Sequence, residues 1–336
     1  MQLRFRRTSS RSDRIDRSGA AVSARIDAAP EVPDADASGD DVGRRWNFEP
    51  GTEIYDGRTV FRALGGGSAY EVFLVWDEWL HALMVAKVLR PHRLDDERAR
   101  RDMNREALVL ERLAHPMIVR SFGADLSAEY PHILLEHLEG DTLRRLVKRY
   151  GRLSLEQLLP LALHVCSALQ YLANQRLVHL DVKPANIVMS APPRLIDLSI
   201  ARSFDEAAAL RVAIGTDGYM APEQCVPGEG GTIGPPADVF GLGATLWHAA
   251  SGTAPFRRDR GAGTSDDPAA RWPQLVREPA PLPKDTPAHL VDVLRSMVAK
   301  DPSARPSANE VALALEPLVA ELPTKIVVTR RGLRVR

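Results

Sequence analysis

Only two of the 336 residues are cysteine, Cys166 and Cys225, and neither has a partner at metal-ligand spacing. That excludes a disulfide framework and a cysteine-based zinc site, and it fits a reducing compartment. Net charge is also missing: 44 basic and 44 acidic residues cancel, so no global field points to nucleic acid or a membrane surface as the main partner. No stretch reaches the roughly 18 uncharged apolar residues needed for a transmembrane segment. The N-terminus opens with Arg4, Arg6 and Arg7 and has no apolar segment of a secretory leader. A cytoplasmic location is expected.

What is present divides the chain into unequal parts. Residues 1–45 are rich in Arg, Ser, Asp, Ala and Pro and poor in large apolar side chains, so burial cannot offset the entropy of ordering and a disordered tail is expected. Its arginines dominate up to Arg25, and Asp27, Glu31, Asp34, Asp36, Asp40 and Asp41 follow; Arg6-Arg7-Thr8-Ser9-Ser10 is a candidate phosphorylation site. From Trp46 the composition becomes globular, and 46–320 is read as one domain with a strand-rich part, 46–136, and a helical part, 137–320. Strands are predicted at Thr59–Leu64, Tyr70–Trp76, Leu83–Leu89, Ile118–Phe122 and His132–Leu135. The spacing of Met103, Ala107, Leu110 and Leu113 predicts a helix within Leu94–Leu113. Further helices are predicted at Thr142–Arg149, Leu155–Asn174, Ala237–Ser251, His289–Ala299 and Ala308–Leu318, with a surface loop at Arg257–Asp267. A basic tail, 321–336, interleaves arginines with apolar residues.

Four segments carry chemistry. Leu64-Gly65-Gly66-Gly67-Ser68-Ala69-Tyr70-Glu71-Val72 lies between two predicted strands, where glycines let backbone N–H groups approach a phosphate; alone, such a triple glycine is more often just a turn. Fifteen residues after Val72, Met84-Val85-Ala86-Lys87 sets a lysine inside an apolar strand, where an ammonium needs a partner. Glu106, nineteen residues further on in the amphipathic helix, can supply it. Next, His179-Leu180-Asp181-Val182-Lys183-Pro184-Ala185-Asn186-Ile187-Val188-Met189 places a carboxylate, an ammonium and an amide in a loop broken by Pro184. Finally Ile196-Asp197-Leu198-Ser199 ends a short apolar run with a second carboxylate, and Asn186 and Asp197 offer hard oxygen ligands suited to Mg²⁺.

In this order and spacing the chain resembles the protein kinase superfamily, most closely the eukaryotic-like Ser/Thr kinases of bacteria, over about residues 54–318. Further matches are Gly215-Thr216-Asp217-Gly218-Tyr219-Met220-Ala221-Pro222-Glu223-Gln224, Asp238 with Gly241-Leu242-Gly243, and Asp301-Pro302 with Arg305-Pro306. The resemblance implies an α+β, bilobal fold: a small five-stranded β lobe with one helix, and a larger, mainly α-helical lobe. It implies ATP and Mg²⁺ as cofactors and Ser/Thr hydroxyls of protein substrates as acceptors. Lys87 would contact the α- and β-phosphates, held by Glu106; Asn186 and Asp197 would hold Mg²⁺; Asp181 would orient the substrate hydroxyl and Lys183 would neutralise the γ-phosphate. Gly65, Gly67, Val72 and Ala86 would line the nucleotide, Glu136 and Leu138 would present backbone groups to adenine after the gatekeeper Leu135, and Asp141 would lie near the ribose. His179 is read as a packing residue, and Glu223 with Arg305 as a buried ion pair. Cys225, beside the substrate platform, is the cysteine more open to a reactive role, although a plain thiol is the expectation.

Three positions depart from the family pattern. Tyr70 stands at the third glycine of the loop and should stiffen it or change its approach to the phosphates, so a weaker but not absent cradle is expected; Leu198-Ser199 replaces Phe-Gly after Asp197 and should disfavour a flipped segment. Leu180 replaces the arginine that binds an activation-segment phosphate, and residues 204–215 contain no Ser, Thr or Tyr. Activity independent of phosphorylation in that stretch is expected. The alternative reading is a nucleotide-binding pseudokinase or scaffold, disfavoured because all six polar positions are filled. No sensor segment is evident, so input is expected through a regulatory partner, with the tails as candidate contacts.

Overall fold

The computed structural model describes residues 44–259, 261, 265–322, 326–329 and 332–335. Except for Arg44 and Arg45, the expected N-terminal tail and its candidate phosphorylation site lie outside the described residues, as do parts of the 257–267 loop and of the C-terminal tail.

Alternating apolar residues build β1 (Glu53–Tyr55), β2 (Arg58–Gly66), β3 (Tyr70–Asp77) and β4 (Ala82–Leu89), followed by α1 (Glu97–Glu111), β5 (Ser121–Asp125) and β6 (His132–Glu136). The strands form one antiparallel sheet in the order β1-β2-β3-β4-β6-β5. This is six strands where five were expected. The extra one, β1, has three residues and buries only Ile54, too little for a periodic pattern to register. The strand expected at Ile118–Phe122 is displaced to Ser121–Asp125, an edge strand with almost no buried residues. The buried Ile118 bridges Leu195 instead.

Between sheet strands lies a core of Val60, Phe73, Val75, Met84, Ala86, Val88 and Leu134. Trp46 closes it: its N–H donates to Glu71 Oε2 at 2.9 Å, its indole Nε1 donates to the Leu89 carbonyl at 2.8 Å, and its ring stacks on Phe48. Helix α1 starts only after Asp96, whose carboxylate accepts from the N–H groups of Arg98 and Ala99 as an N-cap. Its buried stripe is Ala99, Met103, Glu106, Val109 and Leu110, so Glu106 is the one charged member of an otherwise apolar face.

The second lobe contains α2 (Leu143–Tyr150), α3 (Leu155–Asn174), β7 (Leu177–Val178), β8 (Ile187–Val188), β9 (Arg194–Leu195), β10 (Arg202–Ser203), α4 (Phe204–Ala208), α5 (Pro222–Cys225) and α6 (Pro235–Ser251). After these come α7 (Pro268–Arg271), α8 (Ala288–Met297) and α9 (Ala308–Ala320), then a strand pair, β11 (Ile326–Thr329) with β12 (Gly332–Val335). Helix α3 begins at a capping box between Ser154 and Gln157 and buries Leu158, Leu159, Leu161, Val165, Leu169 and Leu172. Cys166 is buried with them, the core cysteine expected.

Helix α6 is buried along nearly its whole length and sets where the site can form. A Cβ on Gly243 would lie 2.7 Å from Met297 Cβ, and one on Gly241 would lie 3.0 Å from the Val182 carbonyl. Hydrogen at these two positions lets α8 and the loop containing Asp181 press onto α6. Among the described residues no helix is long and apolar enough to cross a membrane.

The expected pair of Glu223 and Arg305 forms, with both side chains fully buried and two bonds of 2.7 and 2.8 Å. The remaining guanidinium hydrogens go to the carbonyls of Pro236, Ala299 and Lys300, so the charge is fully partnered. Arg305→Ala leaves Glu223 buried and unpaired and is expected to cost about 3–5 kcal/mol in urea unfolding. A loss below about 1 kcal/mol, the scale of an exposed pair, would contradict that assignment.

Candidate active site

The loop between β7 and β8 is fastened from below. Asp238 of α6, almost fully buried, accepts from the backbone N–H groups of His179 and Leu180, each at 2.7 Å. That pair of bonds holds Leu180 at φ 66, a left-handed conformation that a branched side chain adopts only under constraint. His179, fully buried, accepts the Asp181 N–H on Nδ1 at 3.2 Å, the packing role expected of it.

Above this fastening the polar groups converge. Asn186 donates its amide to the Asp181 carbonyl at 2.9 Å and to Asp181 Oδ2 at 3.0 Å. Thr216 donates its hydroxyl to Asp181 Oδ1 at 2.7 Å, and Lys183 donates to Thr216 Oγ1 at 2.6 Å while lying 2.9 Å from Asp181 Oδ2. Asp181 is therefore a carboxylate that already accepts an O–H, with a cation beside it.

The second cluster joins β4, α1 and the segment after β9. Lys87 donates to both oxygens of Glu106 at 2.7 and 2.8 Å and to Asp197 Oδ1 at 3.0 Å. Burial alone would push the Lys87 ammonium down, but the Asp197 and Glu106 carboxylates outweigh it and its pKa is raised. Burial would likewise raise Asp197, yet Lys87 and a hydrogen bond from Ser199 hold it well below the usual carboxylate range. Glu106 also meets the Leu198 backbone N–H. Leu198 itself is buried in the same cluster as Met103 and Leu110 of α1, which anchors the segment where Phe was expected by family pattern.

The glycine-rich turn is tighter than its sequence implied. A Cβ on Gly66, at φ 153, would lie 2.3 Å from the Tyr70 carbonyl, so this middle glycine has no room for a side chain. Gly65 pairs with Val72 across the hairpin at φ 122, and Gly67 donates its N–H to the Tyr70 carbonyl at 3.0 Å. Arg90, nearly buried at the end of β4, pins the turn: its Nε donates to the Gly67 carbonyl at 2.7 Å and its N–H to the Ala69 carbonyl at 2.9 Å.

Along the expected adenine wall, Val72 lies opposite Lys87 in register, Ala86 is fully buried, and Leu138 packs half-buried on the main core. The Glu136 carboxylate accepts the Arg120 N–H at 2.8 Å and lies 3.5 Å from Arg194, and its backbone N–H donates to the Arg120 carbonyl at 3.0 Å. Asp141 lies 3.5 Å from both Arg145 and Arg149, so its charge is already balanced.

The activation segment is held at three points. Ser203 and Glu206 form a capping box at the start of α4, and Glu206 lies 3.8 Å from Arg105 of α1. Arg105 pairs with Asp102 at 2.6 Å, and Arg202 lies 3.9 Å from the same carboxylate. Gln224, buried in α5, donates its amide to the carbonyls of Leu180 at 2.9 Å and Ile214 at 3.0 Å and accepts the Ala221 N–H. Cys225 is buried beside Met220 and Trp272, and burial pushes its thiol up, so it is an inert thiol and not a reactive one. Sequence reasoning passed over Gly66, Arg90 and Gln224; only Gly66 carried a signal, as the centre of a triple glycine.

Residues 58–314 match the family model described as the protein kinase domain. The Ser/Thr-protein kinase PknB of Mycobacterium leprae is 32% identical over 255 residues, an alignment covering 72% of this chain and 39% of that protein. PknB of Mycobacterium tuberculosis is 32% identical over 256 residues, with coverage of 72% and 39%. The probable Ser/Thr-protein kinase PkwA of Thermomonospora curvata is 31% identical over 255 residues, covering 75% of this chain and 33% of that protein. The chain thus spans well under half the length of these curated relatives.

Gln224→Leu removes two hydrogen bonds from buried carbonyls and is expected to loosen the activation segment. Trypsin cleavage after Arg211 should then accelerate about tenfold, the scale of one lost buried bond. Unchanged cleavage would mean that Gln224 does not hold the segment.

Proposed function

This chain belongs to the protein kinase family, and on that premise we propose that it is an active Ser/Thr protein kinase that transfers the γ-phosphate of ATP to Ser or Thr hydroxyls of protein substrates. The observation that carries the reading is the Asp181 carboxylate accepting the Thr216 hydroxyl at 2.7 Å with Lys183 at 2.9 Å. A substrate hydroxyl needs the same acceptor to be oriented and to lose its proton. In this reading Lys183 neutralises charge on the transferring phosphoryl group, and Lys87, held charged by Asp197 and Glu106, binds the α- and β-phosphates. The pairing of Lys183 with Thr216 supports Ser/Thr over tyrosine acceptors.

Mg²⁺ fits the residues present. The ion is bound through one or two protein oxygens plus phosphates and water. Asp197 is kept anionic by Lys87, and the Asn186 amide nitrogen is committed to Asp181, which leaves its oxygen as the donor. When bound, the ion supplies charge neutralisation on the phosphates. Two free, buried cysteines support a cytoplasmic setting.

Activity in this reading does not wait for a phosphate on residues 204–215. Leu180 is buried in the position of the phosphate-binding arginine, and Glu206 and Gln224 already tie the segment to α1 and to the catalytic loop. The observation favouring the pseudokinase alternative is the Gly67 N–H, which is spent on the Tyr70 carbonyl.

Radiolabel transfer to a peptide separates the two: Asp181→Asn is expected to lower the rate about 10²–10⁴-fold, the range for a proton-accepting group. Equal incorporation by both proteins would remove the case for catalysis at this site. Phosphatase-treated enzyme is expected to start without a lag; a lag that prior autophosphorylation at Ser203 abolishes would overturn the phosphate-independent reading.

A further inference from the structure

Tyr70 is the residue least explained by the reading above, because the family pattern puts a glycine there. We propose that Tyr70 is a positioning residue whose ring holds the Lys87 ammonium while its hydroxyl ties the glycine-rich turn to α1, a contact set that rests on the kinase reading of Lys87.

Side chains alternate along β3, so Tyr70 and Val72 share a face. Val72 lies opposite Lys87 in the β3–β4 register, which brings Tyr70 and Lys87 to the same side of the sheet. There the Lys87 Nζ lies over the Tyr70 ring, 4.7 Å from its centroid. That distance is within the range of a cation–π contact, which strengthens when the pair is withdrawn from water. The hydroxyl donates to the Ala99 carbonyl at 3.4 Å, two helical turns before Glu106 on α1. One side chain therefore touches the lysine and the helix that carries the lysine's partner.

The lysine's surroundings give this contact its importance. Glu106, Asp197 and the Tyr70 ring surround the ammonium. Of the two carboxylates, Asp197 is the one that must turn to other duty when the site is loaded. The ring is neutral and stays. Burial pushes the Tyr70 hydroxyl up to about 12, against the pull of Lys87, so the phenol adds no third negative charge beside the lysine. The same residue closes the turn, since its carbonyl accepts the Gly67 N–H while Arg90 binds the Gly67 carbonyl. A glycine would leave both the turn and the lysine less constrained.

The test uses the full chain with Tyr70→Phe, Tyr70→Leu and Tyr70→Gly, read by kcat, by KM for ATP and for peptide, and by acetic anhydride labelling of Lys87 followed by mass spectrometry. Tyr70→Phe keeps the ring and is expected to lose no more than about twofold in kcat, the worth of one long hydrogen bond. Tyr70→Leu and Tyr70→Gly lose the ring's charge contact; each is expected to lower kcat about tenfold, with KM for peptide unchanged, and to speed Lys87 labelling by a similar factor. Tyr70→Leu fills the space and guards against a variant that fails to fold. Equality of Tyr70→Leu with Tyr70→Phe would reduce the residue to bulk and overturn the proposal, and so would a Tyr70→Gly enzyme as fast as or faster than wild type. If the wild type transfers no phosphate, the kinase reading fails while Lys87 labelling still decides the ring contact.

Discussion

A lysine ammonium buried in the middle of an apolar strand constrains more of this molecule than any other group. Left unpaired it would cost several kcal/mol or shed its proton. Pairing it with Glu106 fixes the rotation and depth of α1, because Glu106 is the only charged residue on that helix's buried stripe. Pairing it with Asp197 fixes the start of the activation segment, with Leu198 driven into the core beside α1. Two lobes and one segment are thus ordered around a single charge.

In the proposed reading, a second set of fixtures acts where a reversible phosphate would otherwise serve. Leu180 has no charge to offer a phosphate and is instead part of the core, held at positive φ by Asp238 below and Gln224 above. Gln224 also reaches Ile214, so one buried amide joins the catalytic loop to the far end of the activation segment. On the other side, Asp102, Arg105, Arg202 and Glu206 link α1 to the beginning of that segment through partly exposed charges. Each such pair contributes little energy. Their value lies in orientation, and the buried contacts carry the stability.

The polar residues of the site were legible in the sequence because their chemistry is tied to spacing. A lysine in an apolar strand, a glutamate on an apolar helix stripe, and a carboxylate, ammonium and amide within one loop each violate a local rule, and such violations mark function. The helices were legible through their apolar spacing, as Met103, Ala107 and Leu110 of α1 illustrate. The three-residue strand β1 and the exposed edge strand β5 were not, since neither buries enough to impose a pattern. Arg90 and Gln224 escaped for a different reason: both act through backbone carbonyls far away in sequence, 23 and 44 residues off, and side-chain identity alone does not announce such a partner. The burial of Cys225 could not be read from its neighbourhood in sequence, because Trp272, from a distant turn, is what seals it.

The most direct measurement is a crystal structure of the phosphatase-treated, nucleotide-free protein. Lys87 bonded to both oxygens of Glu106, with α1 seated and the Tyr70 ring beneath the ammonium, is the result predicted for a site that assembles without phosphate. A structure in which Glu106 has turned to solvent and Lys87 meets Asp197 alone would contradict it.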